Sequence, residues 1–234
     1  LLTINYDWRI NDDWGLNAVA GNEFIQSNRK KYYEYGTNYN FAGWNHINNA
    51  TTQLTEEERG KNRTVGFFGN VSASYRNMLY LTVTGRQDYV SNMPRNNRSF
   101  FYPSANLSFI VTDFLRSLDK TLPSWLTFAK VRLSAAQVGK DTEPYNLYNT
   151  LSYAFANGVL NITKSDIKKN DQLKPEISSS YEAGLDMKFF NNRLGFDFTY
   201  YNSRTKNQIM KVPAPAPWSG GKMINSGLIV NQGF

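Results

Sequence analysis

Glu182, Asp186 and Asp197 are the residues of this chain whose type and spacing come nearest to catalytic equipment. Two carboxylates facing each other across a hairpin could cleave a glycosidic bond, one as proton donor and the other as nucleophile or base. A charged wall lining a water-filled or plugged channel explains them without any reaction, and no catalytic residue is assigned. His46 is the one histidine and there is no cysteine, so neither a metal cage nor a nucleophile–base pair can converge on it. "TEEERG", Thr55 to Gly60, sets Glu56, Glu57 and Glu58 side by side, yet adjacent residues fan outward, which favours a solvated loop over a calcium site. "SGGK" lacks the spacing of a phosphate loop. No metal and no cofactor is expected.

The carboxylates belong to "SSYEAGLDMKFFNNRLGFDFTYYN", Ser179 to Asn202. Tyr181, Ala183, Leu185, Met187 and Phe189 share one side of a period-two ribbon, and Glu182, Gly184, Asp186 and Lys188 share the other. Leu194, Phe196, Phe198 and Tyr200 repeat the pattern against Gly195, Asp197, Thr199 and Tyr201. The spacing predicts a long hairpin turning at Asn191-Asn192, two residues that tolerate a left-handed backbone.

The same alternation recurs along the chain. Leu2 to Ile10 and Leu16 to Ala20 flank the short turn "NDDW". Val65, Phe67, Val71, Ala73 and Tyr75 oppose Asn70, Ser72 and Ser74. After "RNM", Leu79, Leu81 and Val83 oppose Thr82, Thr84, Arg86 and Asp88. Phe101, Ala105, Leu107 and Phe109 follow, with Pro103 tolerable only near a strand end or an unpaired position. "DFLRSLDKTLPSW" has room for a helical turn or two. Ala129, Val131, Leu133 and Ala135 then oppose Lys130 and Arg132. Residues 30–62 and 140–178 read as long irregular loops, 211–225 as a Pro/Gly-rich loop, and "SGLIVNQGF" as a last strand.

About nine strands result, with connections alternately short and long. That alternation, the strand length and the mid-strand charges Arg86, Asp88, Lys130, Arg132, Asp186, Lys188 and Asp197 predict an all-β, antiparallel up-and-down transmembrane wall whose charges face a lumen. A soluble sandwich is the alternative, and it would cover the apolar face with a second sheet. Mean hydropathy is −0.53 while 15% of residues are aromatic, a composition that suits strands with aromatic belts; Trp8, Trp14 and Trp125 lie where such a belt would. No apolar run reaches the ~18 residues of a transmembrane helix. The net charge is +7, but the cations are scattered, "NRKKYYEYG" being the one short basic cluster, so no nucleic-acid partner is expected.

Leu173 to Met210, with its Lys-Pro-Glu, Ser-Tyr-Glu-x-Gly-Leu-Asp and Phe-Phe-Asn-Asn-Arg-Leu elements, resembles the late barrel of SusC/RagA-like TonB-dependent outer-membrane transporters. "NNRSFFYPSANLSFIVTDF", "WLTFAKVRLSAAQVGKDTEPY" and "INSGLIVNQGF" fit the same family in order. Lys140 after Val-Gly and the Gln232-Gly233-Phe234 ending depart from its usual pattern. The resemblance implies that residues 1–234 are part of a plugged barrel of about 22 strands, with the plug and the TonB-contacting box outside this sequence. It further implies integral outer-membrane location, import driven by TonB, a SusD-like lipoprotein partner, and an oligosaccharide cargo with peptide next. The loop aromatics Tyr35, Tyr39, Trp44, Tyr145, Tyr148 and Trp218 could hold that cargo, since flat rings beside Asn and Gln suit sugar faces and peptide backbones. Packing of the loops on one another explains them equally. A secreted or surface β-rich glycan-binding module without transport is the other function to weigh.

Overall fold

The computed structural model describes residues 1–156 and 159–234. Besides a single 3-10 turn at Ile47–Asn49, twelve strands and one α-helix follow in chain order among these residues: β1 (Leu2–Arg9), β2 (Trp14–Tyr39), β3 (Ala50–Tyr75), β4 (Leu79–Val90), β5 (Ser99–Ile110), α1 (Val111–Ser117), β6 (Leu126–Lys140), β7 (Leu151–Ala156), β8 (Val159–Lys164), β9 (Ile167–Lys168), β10 (Glu176–Phe189), β11 (Leu194–Val212) and β12 (Gly221–Gly233). Nine of them form the expected antiparallel up-and-down ladder, in the order β1-β2-β3-β4-β5-β6-β10-β11-β12, and β9 adds two parallel rungs at the outer end of β12. The sheet does not close on itself.

Register puts every apolar stripe on one face. Trp8 pairs with Leu16, Leu16 with Ala73, Ala73 with Leu81 and Leu81 with Leu107. Further along, Leu133 pairs with Ala183 and Ala183 with Tyr200. The stripe runs for about nine to eleven residues, as in Trp14–Phe24, Val65–Tyr75 and Tyr181–Phe189, which is what a tilted strand needs to cross hydrocarbon. Nothing covers it. Val83 keeps 48% of its surface, Phe196 50% and Leu81 44%, and the other sheet among the described residues is the β7–β8 hairpin. The sandwich alternative therefore fails at the feature that defines it, a second sheet over the apolar face.

The short turns gather at one end. Arg76 and Asn77 both take positive φ (47° and 55°) between β3 and β4. Such a backbone is costly for arginine, and here a bidentate pair fixes it, Nε donating to Asp13 Oδ1 (2.9 Å) and Nη2 to Oδ2 (3.0 Å). That hydrogen-bonded guanidinium holds the Asp13 carboxyl below the usual aspartate range. The hairpin between β10 and β11 is longer than the expected two residues. Phe189 is the last to pair, with Leu194, and Phe190, Asn191 and Asn192 all have positive φ. The extra length follows from tethering to β6, where Phe190 N donates to Trp125 O (2.9 Å) and Asn191 N to Thr127 Oγ1 (3.0 Å). Trp125 in turn stacks on Phe189 at 5.9 Å. Trp8 and Trp14 lie at this same end, and the expected helical segment is present as α1. Pro103 lies inside β5 opposite Gly85, where β6 has not yet begun to pair, since that ladder starts at Ser104 and Ala136.

The largest departure from expectation lies at the other end. Residues 30–62 are not an irregular loop, because β2 and β3 stay paired out to Tyr39 and Ala50. Beyond the last apolar pair, Phe24 and Val65, this arm runs some fifteen residues in each strand, roughly 50 Å. It carries no apolar stripe, which hides it from a periodicity argument. It holds through a continuous backbone ladder, β-prone Tyr and Thr, and cross-strand charge pairs such as Lys31 with Glu58 at 3.4 Å. Residues 140–178 likewise contain β7, β8 and β9.

A positive charge placed on the bare apolar face should be costly and the same charge on the other face should not. Val83→Lys in the intact protein should lower stability by about 2–4 kcal/mol in vesicles, while Thr82→Lys, one residue away and pointing oppositely, should change the urea midpoint little.

Candidate functional site

The face opposite the apolar stripe is mainly polar, with Phe68, Phe100 and Phe128 among its charges, and two arginines organise it. Arg86 on β4 donates through Nη2 to Glu23 Oε2 on β2 (2.9 Å) and through Nε to Asp88 Oδ1 (2.7 Å) and Tyr102 Oη (3.2 Å). The Tyr102 hydroxyl also donates to Asp88, and the Arg86 guanidinium lies 5.8 Å from the Phe68 ring centroid. To reach Glu23 the side chain must cross β3, and it crosses at Gly66, where any Cβ would collide with the guanidinium and with Asp88.

The second arginine repeats the device. Arg132 on β6 crosses β10 at Gly184 and donates through Nη2 to both Asp197 oxygens on β11 (2.6 and 2.8 Å). A Cβ at Gly184 would come within 3.1 Å of Arg132 Nε. Both staples tie three strands and lay the charge flat on the wall. Lys130, Asp186 and Asp197 occupy one cross-strand row, so Asp186 stands between a lysine and a like-charged partner. Lys188 lies over Phe128, with Nζ 5.6 Å from the ring centroid. Among the described residues Arg132 Nε and Ser108 Oγ are buried without a hydrogen-bond partner, and both border a concavity of about 320 Å³ with Lys130, Glu182 and Thr199. All seven charges singled out in the sequence thus share this face. Asp197 is held by Arg132 rather than poised opposite a reacting group.

At the long-loop end a small apolar cluster replaces a core. Val90, Met93 and Leu173 are buried together, with Phe100, Leu147 and Ile209 against them. Asn97 Nδ2 donates to Leu173 O (2.9 Å) and Asn92 Nδ2 to Asp141 Oδ2 (3.0 Å), so the 91–98 and 141–175 connections are locked to each other. Burial pushes the Asp141 carboxyl above its ordinary value; the hydrogen bond from Asn92 opposes that shift and the nearby Asp88 adds to it.

The loop aromatics are spread over three elements. Tyr35 and Tyr39 are exposed on the outer part of β2, and Trp44 lies in the turn at its tip, its ring 5.4 Å from His46. Tyr145 and Tyr148 are exposed on the connection after β6. Tyr145, at φ 65°, borders a groove of about 250 Å³ with Pro144, Glu143 and the arm residues Arg29, Lys31, Glu58 and Gly60. Trp218 is half-buried, with Lys164 Nζ 3.5 Å from its ring centroid. Glu56, Glu57 and Glu58 alternate across the two faces of β3, and among the described residues no three metal-ligating side chains converge. Sequence reasoning passed over Glu23, Tyr102, Asn92, Asp141 and the two glycines. The readable signal was a glycine at a polar-face position beside an arginine of the next strand.

The family model described as TonB dependent receptor-like, beta-barrel matches residues 2–234. TonB-dependent receptor P3 of Formosa agariphila is 29% identical over 194 residues, covering 79% of this chain and 19% of that protein. TonB-dependent receptor SusC of Bacteroides thetaiotaomicron is 25% identical over 187 residues, covering 74% and 18%. The solved structure of the RagAB peptide transporter superposes with a TM-score of 0.84 at 21% identity, over 98% of this chain and 26% of that one, a likeness of fold. The chain spans about a fifth of the length of these curated relatives.

The staples predict that Gly184→Ala costs about 1–3 kcal/mol by displacing Arg132, whereas Gly195→Ala, with nothing within 4 Å of the new methyl, leaves the urea midpoint unchanged or higher. Asp141 predicts an opposite pH trend to that of a salt-bridged aspartate. A raised folded-state pKa favours the protonated form, so its contribution is present below the ordinary aspartate value and lost as pH rises through the raised one. Asp141→Asn should abolish that step, and hydrogen exchange at the amides around Asn92 and Leu173 should then show protection that no longer falls across that window.

Proposed function

The chain belongs to the TonB-dependent receptor-like β-barrel family, and from that premise we propose that it forms one wall of an outer-membrane importer. The supporting observation is the two-faced wall itself. One face is bare and apolar over a bilayer's depth, while the other is polar and crossed by ion pairs, as a plugged or wet lumen requires. The remaining strands and the plug would come from the rest of a longer protein, and TonB would supply the energy. These residues carry out no covalent step; they shift between binding and release as the plug moves.

A SusD-like lipoprotein at the mouth is part of the proposal, on the strength of the SusC-like sequence motifs and the likeness to a receptor named SusC. The preferred cargo is an oligosaccharide, because exposed tyrosines and Trp44 gather on the arm and on the connection after β6. A peptide is the second reading. Arg29 and Glu143 border one groove, and among the described residues neither forms an ion pair, which suits a ligand carrying both charges.

Uptake of labelled oligosaccharides and peptides by cells carrying the intact receptor separates these readings. Uptake should stop when a protonophore collapses the inner-membrane proton gradient; uptake that continues would sink the importer reading. Tyr145→Ala should weaken oligosaccharide binding about three- to tenfold. A selective loss of peptide binding in Arg29→Gln or Glu143→Gln would instead establish the second cargo.

A further inference from the structure

The cations of the arm are sorted by face in a way that import does not explain. Counting outward from the last apolar pair, Phe24 with Val65, the rungs on the same face are Gln26 with Arg63, Asn28 with Lys61, and Lys30 with Arg59. Four cations therefore continue the apolar stripe directly, and all four are exposed. One acid, Glu57, accompanies them on the next rung, bound to Arg59, and Arg63 Nε is oriented by Gln26 Oε1 at 2.9 Å. At about 5 Å of height per rung for a tilted strand, the four ammonium and guanidinium groups fall some 5–15 Å above the apolar band. That is the depth of headgroups, within reach of long side chains that extend along the interface.

The opposite end of the same strands differs. There the apolar stripe ends in Trp8, Trp14 and Tyr75, and the adjoining turns carry Asp12 and Asp13 as well as Arg76. On β11, Arg204 and Lys206 follow Tyr200 on the apolar face at the long-loop end as well, beside Val230 and Leu228. At the long-loop end cations thus follow the apolar stripe itself, whereas Arg76, Arg116, Lys120 and Arg193 at the opposite end lie in turns and in or just after α1. Lys30, Lys61 and Arg63 share the face of Phe24 and Val65 and lie outside the lining of the groove of Arg29 and Lys31, which Arg59 also borders.

We propose that Lys30, Arg59, Lys61 and Arg63 form a binding site for phosphate-bearing lipid headgroups of the outer leaflet. The proposal rests on the reading of the sheet as a barrel wall. Clustered cations at headgroup height attract anionic lipid by charge and hydrogen-bond its phosphate oxygens. The site would fix the arm's base to the membrane surface, so that the outer part of the arm stands at a set angle over the mouth.

The test uses the intact receptor in nanodiscs made with a phosphorylated lipid, with the same lipid lacking its phosphate, and with inorganic phosphate as a soluble probe. Phosphorylated lipid should co-purify with the protein and raise its unfolding temperature; the dephosphorylated lipid and inorganic phosphate should do neither. The variant K30Q/R59Q/K61Q/R63Q should lose lipid at least about tenfold, K30R/K61R should keep it, and R29Q/K31Q, facing the other way, should bind as the parent does. Protease protection of the inserted barrel separates lost binding from lost folding. A quadruple variant that inserts and still retains the lipid would overturn the proposal and leave the barrel wall standing. An equal effect of inorganic phosphate would overturn it in favour of a free-anion site. Failure of the parent to enter bilayers would remove both readings together.

Discussion

Hydrocarbon offers no hydrogen bond to a backbone amide, and every feature of this sheet answers to that. An N–H or C=O left unpaired in lipid costs several kcal/mol, so a strand crossing a bilayer must be paired along both edges. β3, β4 and β10 are paired on both sides throughout their apolar stretches. Once the backbone is satisfied, the side chains have two solvents to meet, and a period of two assigns each residue to one of them. Val83 meets one and Thr82 the other. The chain therefore has little core of its own. Among the described residues its one cluster of buried apolar residues, Val90, Met93 and Leu173, lies where loops meet beyond the band.

The polar face faces a second problem. Charges mounted on a wall with hydrocarbon behind it are poorly screened, and a lone one would be expensive. The staples solve this laterally. Arg86 and Arg132 each find a carboxylate two strands away, and each needs a glycine on the strand between. An arginine paired only within its own rung would stand up into the lumen. Laid across Gly66 or Gly184, it neutralises a carboxylate and keeps the charge close to the sheet.

Much of the fold was legible because alternation is a local property. Leu79, Leu81 and Val83 declare a face whatever they pair with, and the rhythm of short and long connections declares the topology. The arm was not legible, since Gln26 to Tyr39 and Ala50 to Thr64 are solvated on both faces and alternate nothing that periodicity can detect. Its order comes from ladder continuity, a non-local property, and from pairs such as Lys31 with Glu58 that appear only once register is known. The charged face was legible residue by residue, and its wiring was not. Gly184 looks like a blank in the pattern until Arg132 is seen to pass over it, and Asp197 looks free until the strand order brings that arginine to it.

Register also joins the two roles proposed for the arm. Arg29 and Lys30 are neighbours in sequence, yet one borders the groove beside Tyr145 and the other continues the lipid-facing stripe. A slip of one residue would exchange them, sending Lys30 toward the mouth and Arg29 toward lipid, and would at the same time turn Phe24 into the polar face. The bilayer forbids that slip, because Phe24 and Val65 lie at the end of a stripe that only one register keeps in hydrocarbon. The membrane-embedded part of β2 and β3 thus sets the side-chain directions of an arm that leaves the membrane altogether. A polar ribbon some 50 Å long, with no core to orient it, presents a fixed face to the mouth because its base is anchored in lipid.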